Sequence, residues 1–268
     1  VAAHIAGVLS LEDAAKLVCA RGDLMQSCES GGAMASLGLS EAEVVSLLAR
    51  ESTHVDIAGL NGPRQTVISG DAEAVDALVA QVAEAGDKAT RLQVSHAFHS
   101  AHMETMLDGF REVAQSCHFK APEISVVSNV TGQLATAAEL TSPDYWVRHV
   151  RESVRFVDGM ACLAEEEVTT FIECGPRGVL SSLGAMCLDN PELTFVASHR
   201  KDSDELATFG RALGEVHGAG HRIDWTSVIP RDAWQSVKIP TYSFERQRHW
   251  LEAVQPAAES ALAATSTL

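Results

Sequence analysis

Two histidines flank an aromatic residue in the heptapeptide Val-Ser-His-Ala-Phe-His-Ser, residues 94–100. The preceding run, residues 89–94, has a strand-like pattern, and a helix-like pattern follows the heptapeptide. Imidazole is the side chain whose unperturbed pKa lies nearest neutral pH, so a histidine between a strand and a helix can act as a general base. We therefore take His96, Phe98 and His99 as the first candidate site residues.

Two other interpretations of the heptapeptide remain open at this point. One is a histidine-rich surface turn. The other is a metal site, because His96, His99 and His102 recur at every third position. Helical spacing of three brings two imidazoles together, but a third imidazole at the same spacing has drifted around the helix. The nearby Cys117 and His118 do not complete a zinc-binding spacing, so the sequence predicts no metal site.

The composition limits the classes of partner. The chain has 268 residues, of which 46% are hydrophobic, enough for a sizeable core in one large or two smaller domains. A net charge of −16 argues against binding to nucleic acid or to an anionic membrane, and no apolar run is long enough to span a bilayer. The six cysteines form no C-x-x-C pair, which is typical of reduced thiols in a cytoplasmic protein.

Residues 32–94 have the pattern of one compact unit. Ser40 and Asp71 each begin a helix-like run, and four strand-like runs surround these helices, at residues 33–38, 55–60, 66–69 and 89–94. The resulting order, β-α-β-β-α-β, is that of a ferredoxin-like fold.

The flanking residues 1–31 and 95–222 show a second pattern. A helix over residues 11–25 is predicted from the cap residues Ser10 and Asp13. Farther along, helix-like runs alternate with three strand-like runs, at residues 124–129, 169–174 and 193–197. Such alternation indicates a parallel sheet covered by helices, so we predict an α/β domain into which residues 32–94 are inserted.

The C-terminal part has a different character. Residues 223–254 contain three of the four tryptophans and a basic, aromatic stretch at residues 242–250, so an extended and adhesive linker is predicted. Residues 255–268 are rich in alanine, serine and threonine and are predicted to form a flexible tail.

Four short blocks follow one another along the chain, at residues 96–99, residues 145–148 with 154–156, residues 173–176, and residues 239–242 through 248–251. In this order they resemble the acyltransferase domain of modular polyketide synthases, a family related to the malonyl-CoA:acyl-carrier-protein transacylases. The first block, His-Ala-Phe-His, is similar to the signature of members that select malonyl units. The resemblance extends over nearly the whole chain.

This resemblance implies an α/β-hydrolase-like large subdomain (residues 1–31 and 95–222) with an inserted ferredoxin-like small subdomain, followed by the linker. It also implies transfer of a malonyl group from malonyl-CoA to the phosphopantetheine thiol of an acyl carrier protein, through an acyl-serine and without a bound cofactor, in polyketide and antibiotic biosynthesis. The implied partners are that carrier protein and, through residues 242–250, a neighbouring ketosynthase domain.

The resemblance also implies roles for individual residues. His99 is the expected base, and Arg21 is expected to bind the malonyl carboxylate. Without the resemblance, the preferred interpretation of Arg21 is an ordinary surface arginine near a helix end, where cations are favoured. The backbone carbonyl of His149 is expected to orient the base, with its side chain facing solvent. The expected acyl-pocket residues are Met25, Asn61, His96 and Phe98.

One feature departs from the family pattern. The family's nucleophile is the serine of a G-H-S-x-G elbow, and no G-x-S-x-G occurs in these 268 residues. Residues 1–9 resemble the segment after that elbow, so we expect the serine about five residues before Val1, together with a missing N-terminal part of the domain. The alternative hypothesis is a non-catalytic scaffold or docking fragment.

Overall fold

The computed structural model describes residues 1–50, 54–229, 238, 240–245 and 247. The chain divides into two compact units, residues 1–223 and 224–268. In the second unit, a short helix spans Trp225–Val228. The predicted tail, 255–268, and much of the predicted linker lie outside the described residues. The rest of this section concerns the first unit.

The first unit begins with two helices, α1 (Ala2–Ile5) and α2 (Leu11–Gln26). The Ser10 hydroxyl accepts a hydrogen bond from the backbone N–H of Asp13 at 3.0 Å, which satisfies one of the free donors at the helix start. The helix predicted from these two residues is therefore confirmed. It carries Arg21 in its second half.

The β-α-β-β-α-β order predicted for residues 32–94 is present. Its elements are β1 (Gly32–Leu37), α3 (Glu41–Leu48), β2 (Val55–Gly62), β3 (Gln65–Asp71), α4 (Ala72–Glu84) and β4 (Ala89–Arg91). The strands form one antiparallel sheet in the order β2-β3-β1-β4. The last strand ends at Arg91 and not at Val94, because only Ala35, Ser36 and Leu37 of β1 pair with it.

The remaining elements alternate helices with two strands. A 3₁₀ helix (Ala101–Met106) leads into α5 (Leu107–Gln115), followed by α6 (Ala137–Leu140), α7 (Pro143–Arg151), α8 (Phe156–Glu165), β5 (Thr170–Glu173), α9 (Val179–Leu188), β6 (Thr194–Ala197) and α10 (Glu205–Gly218). Strands β5 and β6 pair in parallel, with Thr170 opposite Thr194. Parallel pairing was predicted for this region and is confirmed for these two strands.

The strand predicted at residues 124–129 is wrong. Only an isolated bridge joins Val127 to Leu134, and the side chain of Ile124 is 58% exposed. An apolar run is a strand only where neighbouring backbone groups pair with it along its length. Among the described residues, the backbone of residues 124–129 makes only scattered bonds, to Gly132, Gln133, Ala135 and Arg155, and no continuous ladder.

The core beneath the candidate site fixes helix α7. Phe110, Met103 and Val150 are at most 2% exposed and belong to one apolar cluster. The hydroxyl of Tyr145 donates to the Ser128 hydroxyl at 3.0 Å within the same region. Packing on one side and this buried hydrogen bond together hold α7, and hence the residues at its C-terminal end, in one place.

The segment after α7 is attached to the small sheet. The N–H of Val154 donates to the carbonyl of Ala58 at 2.9 Å, and its carbonyl accepts from the N–H of Leu60 at 2.8 Å. At the other side, β1 begins so close to the heptapeptide that a Cβ on Gly32 would lie 2.5 Å from that of Ala97. The two parts of the first unit therefore meet closely around the histidine motif.

Two further observations concern the described residues. None of their helices has the length and apolar content needed to cross a bilayer. Each of the six cysteines is free.

Candidate active site

His99 lies in a strained backbone conformation. Its φ angle is +57°, in the left-handed region that few residues other than glycine adopt. The turn is fixed by Ser100, whose hydroxyl donates to the carbonyl of Ala97 at 2.7 Å and accepts from the N–H of His102 at 3.2 Å. Strain held by surrounding bonds is common at functional sites, because the fold must over-determine the geometry there.

A backbone carbonyl orients the imidazole of His99. Its Nδ1 lies 2.7 Å from the carbonyl oxygen of Glu152. A carbonyl can only accept a hydrogen bond, so Nδ1 carries the proton and donates it. Nε2 then keeps its lone pair and can take a proton from another group, which is the state that a general base requires.

The prediction that the carbonyl of His149 orients the base is wrong, since the carbonyl belongs to Glu152. Carbonyls inside a helix point along its axis toward later N–H groups, whereas those at its end are free for other donors. Helix α7 ends at Arg151, and Glu152 is extended with ψ of 159°. The end of the helix was the signal that could have located this carbonyl.

Burial and charge keep the base neutral. Burial lowers the pKa of His99 below its usual value, and the nearby charges of Arg21 and Arg151 lower it further. The hydrogen bond to Glu152 opposes this effect, and the net shift is downward. His99 is therefore a neutral acceptor at neutral pH.

Arg21 is the second predicted residue of the site. Its guanidinium is half-buried, and its Nη1 donates to Nδ1 of His149 at 3.1 Å. Burial lowers its pKa, and no described carboxylate pairs with it. Its alternative interpretation as an ordinary surface arginine is therefore not what the structure shows. A half-buried cation without an acidic partner is a suitable binding group for an anion.

The side chain of His149 does not face solvent as predicted. Its ring centre lies 6.2 Å from that of Tyr145 and 6.3 Å from that of Trp146. Burial, and next the charge of Arg21, lower its pKa to about 4. No local sequence pattern indicates the contact with Arg21, because the two residues are 128 positions apart.

A cavity of about 300 Å³ lies beside Arg21 and His149. Most of its wall is apolar, including Leu17, Phe110 and Trp146. Apolar walls with few polar groups are typical of sites for small ligands, and this volume is at the lower end of their range. Of the residues expected in the pocket, none of Met25, Asn61, His96 and Phe98 belongs to the lining of this cavity, and neither does His99.

The four expected pocket residues occupy different surroundings. His96 is 5% exposed, with Nδ1 2.9 Å from the Ser95 hydroxyl, and its ring lies 6.1 Å from that of Phe98. Phe98 packs against both the main core and a cluster of the small sheet, whereas Met25 packs in the main core alone. Asn61 lies in β2, where its carbonyl accepts from the thiol of Cys187 at 3.4 Å.

The three histidines at every third position, His96, His99 and His102, have separate partners. Nδ1 of His99 donates to the carbonyl of Glu152, whereas Nε2 of His102 lies 2.7 Å from a carboxylate oxygen of Asp71. His96 contacts a serine hydroxyl instead. Across the described part of the chain, no group of three or more histidine, cysteine, aspartate or glutamate side chains is placed to hold a metal ion.

Comparison with known families decides the classification. The family model for the acyl transferase domain matches residues 1–223 of the sequence. The chain belongs to the acyl transferase domain family. Together with the relatives described next, this match confirms the resemblance of the chain to polyketide synthase acyltransferases.

Individual relatives agree with this family. The chain is 46% identical over 260 residues to the polyketide synthase GfsA of Streptomyces halstedii, covering 97% of this chain and 4% of GfsA. It is also 46% identical to the acyltransferase domain from the second module of the salinomycin polyketide synthase, with a TM-score of 0.83, over 90% of this chain and 57% of that domain. The FabD malonyl-CoA:acyl carrier protein transacylase of Xanthomonas oryzae pv. oryzae is 34% identical, with a TM-score of 0.70, over 80% and 67% of the two chains. This acyl transferase chain therefore spans little more than half of a solved polyketide synthase domain.

Proposed function

We propose that this acyl transferase chain provides the general base and the carboxylate-binding residue for malonyl transfer in polyketide biosynthesis. The donor is malonyl-CoA, and the acceptor is the phosphopantetheine thiol of an acyl carrier protein, with no bound cofactor. The observation that carries the proposal is the placement of Arg21, an anion-binding group without an acidic partner, close enough to His99 to lower the pKa of that base.

The first half of the reaction forms an acyl-serine. No G-x-S-x-G occurs in the 268 residues, so the serine must come from outside them. Its oxygen attacks the thioester carbonyl while Nε2 of His99 takes the hydroxyl proton. The carbon–sulfur bond then breaks, and the imidazolium returns the proton to the departing CoA sulfur.

The second half reverses these roles. The phosphopantetheine thiol gives its proton to Nε2 of His99, and the sulfur attacks the acyl-serine. The serine oxygen leaves and regains the proton. The Glu152 carbonyl keeps the tautomer fixed throughout, although it supplies less negative charge to the imidazolium than an aspartate would.

The finer subdomain description is part of this proposal. The antiparallel β2-β3-β1-β4 unit is consistent with a ferredoxin-like small subdomain, and the parallel β5-β6 pair is consistent with an α/β-hydrolase-like large one. A cytoplasmic location, the absence of a nucleic-acid or membrane partner and the absence of a metal stay predictions.

The proposed ketosynthase contact involves residues 242–250. The rings of Tyr242 and Phe244 are 77% and 74% exposed and meet edge-to-face at 4.9 Å. Exposed aromatic residues are typical anchors of protein interfaces. Residues 246 and 248–250 of this stretch lie outside the described residues.

Labelling with radioactive malonyl-CoA tests whether the nucleophilic serine lies outside the 268 residues that provide the base and the carboxylate-binding residue. We expect the 268-residue chain alone to form no acyl-enzyme, because it contains no nucleophile elbow. The same chain joined behind a G-H-S-x-G segment from a family member, called here the joined polypeptide, should be labelled at that serine. Stable labelling of a serine within the 268 residues would contradict the assignment. Failure of a folded joined polypeptide to label would favour the scaffold hypothesis.

The choice of acyl group gives a second test. Family members that accept methylmalonyl usually carry tyrosine and serine where His96 and Phe98 stand, and we propose that the bulk of the Phe98 ring helps to exclude the extra methyl group. Steric rejection of one methyl is worth roughly 1–3 kcal/mol. In the joined polypeptide, His96→Tyr with Phe98→Ser should therefore raise methylmalonyl transfer relative to malonyl transfer. The measurement is the ratio of kcat/KM values in competition between the two CoA esters.

The structure raises a complication for that experiment. Phe98 packs against both cores, so its loss will also lower stability. Phe98→Leu with His96 unchanged is the matched control, since it keeps apolar volume. An unchanged ratio in a folded double variant that still transfers malonyl would place selectivity elsewhere.

A further inference from the structure

Arg21 needs a partner that orients it without cancelling its charge. A guanidinium has only donors, and a side chain with several rotatable bonds is held in one direction only if an acceptor fixes it. A carboxylate would fix it and neutralise it, and would then compete with an anionic ligand. In this chain the acceptor is the imidazole of His149, at 3.1 Å.

The hydrogen bond determines the state of that imidazole. Because Nη1 of Arg21 can only donate, Nδ1 of His149 must present a lone pair, so the ring is neutral with its proton on Nε2. The environment agrees, since burial and the charge of Arg21 lower the pKa of His149 to about 4. Protonation would place two cations 3.1 Å apart with no described carboxylate between them.

The acceptor is itself fixed. His149 lies in α7, between the rings of Tyr145 and Trp146 on its own helix, and that helix packs against the core through Val150. Both Arg21 and His149 border the 300 Å³ cavity. The remaining donors of the guanidinium are left for a ligand in that space, because within the described part of the chain only Nη1 has a hydrogen-bond partner.

We propose that the side chain of His149 is a positioning residue that holds Arg21 as a fully charged donor fork for the substrate carboxylate. It acts as a neutral acceptor, so it contributes direction without compensating charge. This inference rests on the proposed function, because it assigns the ligand of Arg21 as the carboxylate of the acyl group. The positioning role of the His149 imidazole goes beyond the proposed function and can be tested separately.

Three substitutions in the joined polypeptide separate direction from charge. His149→Gln keeps a neutral acceptor, His149→Glu adds a negative charge to nearly the same shape, and His149→Leu removes the acceptor. We expect the KM for malonyl-CoA to rise about tenfold in the Leu variant, corresponding to about 1.4 kcal/mol. The Glu variant should show at least that rise, and the Gln variant should stay within about threefold of the parent.

Acetyl-CoA is the internal control, because its acyl group has no carboxylate. The Leu and Glu variants should lose much less acetyl transfer than malonyl transfer, and the acetyl transfer that remains shows that they fold and retain the base. Equal losses with both donors would overturn the inference and make His149 structural. If Arg21→Ala lowers malonyl transfer more than acetyl transfer but His149→Leu lowers both equally, this inference alone fails. If Arg21→Ala also lowers both equally, the proposed function fails as well.

A measurement without any substrate tests the contact itself. Among the described residues, the charged and titratable groups near His149 are Arg21, His99 and the phenol of Tyr145. Imidazole resonances of the 268-residue chain, followed by NMR against pH, should show His149 neutral down to well below the usual histidine range. In Arg21→Met, with that charge removed, the pKa of His149 should rise. An identical titration in the two proteins would contradict the contact and overturn the inference.

Discussion

Replacing Arg21 by alanine in the joined polypeptide should reduce malonyl transfer roughly ten- to a hundredfold while leaving acetyl transfer nearly unchanged. A charge-assisted hydrogen bond to a carboxylate contributes roughly 1.5–3 kcal/mol, and malonyl carries a carboxylate where acetyl has none. The guanidinium is half-buried and has no acidic partner among the described residues, so its charge is available to that carboxylate. The measurement is kcat/KM for each CoA ester.

Two controls sharpen the Arg21 experiment. Arg111→Ala removes an exposed arginine that already pairs with Asp108 and Asp144, and it should change neither donor appreciably. Arg21→Lys keeps the charge but not the planar fork, so its malonyl transfer should lie between those of Arg21→Ala and Arg111→Ala. Equal loss of both acyl groups in Arg21→Ala would make Arg21 a structural residue.

Replacing His99 should have a larger effect. A positioned base contributes typically about 10²–10⁴-fold to a rate, and we expect His99→Asn to lose transfer of both acyl groups by that order. Asparagine is chosen because it tolerates the positive φ of +57° better than most residues, so the turn should persist. The matched control is His102→Asn, since His102 bonds to Asp71 and not to Glu152.

The pH dependence of kcat/KM tests the assignment of His99 as the base. The base works only when neutral, and burial lowers its pKa. The rate kcat/KM should therefore be flat above the usual histidine pKa and fall only as the pH drops through the lowered value. In His99→Asn that acidic limb should vanish. A limb that persists in the variant would assign it to another group.

Much of the site's framework could be predicted from local patterns. The start of α2 followed from Ser10 and Asp13, because a cap is a local hydrogen bond between neighbours in sequence. The order of helices and strands along residues 32–94 followed from strand-like and helix-like runs separated by turn residues. The two-histidine motif was found because its chemistry and its place between strand-like and helix-like runs are visible in the sequence, and the resemblance to the family then singled out His99 as the base.

The parts that could not be predicted depend on contacts between distant residues or on the backbone. The carbonyl of Glu152 has no side-chain signature, and its direction depends on where α7 ends. The bond between Arg21 and His149 joins residues far apart in sequence, which no periodicity reports. The apolar run at residues 124–129 looked like a strand, but pairing of the backbone decides that, and apolar content does not.

The most direct test of the central claim is intact-mass measurement of a carrier protein after reaction with the joined polypeptide and malonyl-CoA. We expect malonyl on the phosphopantetheine thiol, formed through an acyl-serine, with transfer strongly reduced in His99→Asn and selectively reduced for malonyl in Arg21→Ala. A carrier protein that stays unmodified, although the joined polypeptide is folded, would contradict the proposed malonyl transfer. So would malonyl transfer that proceeds equally well in both variants.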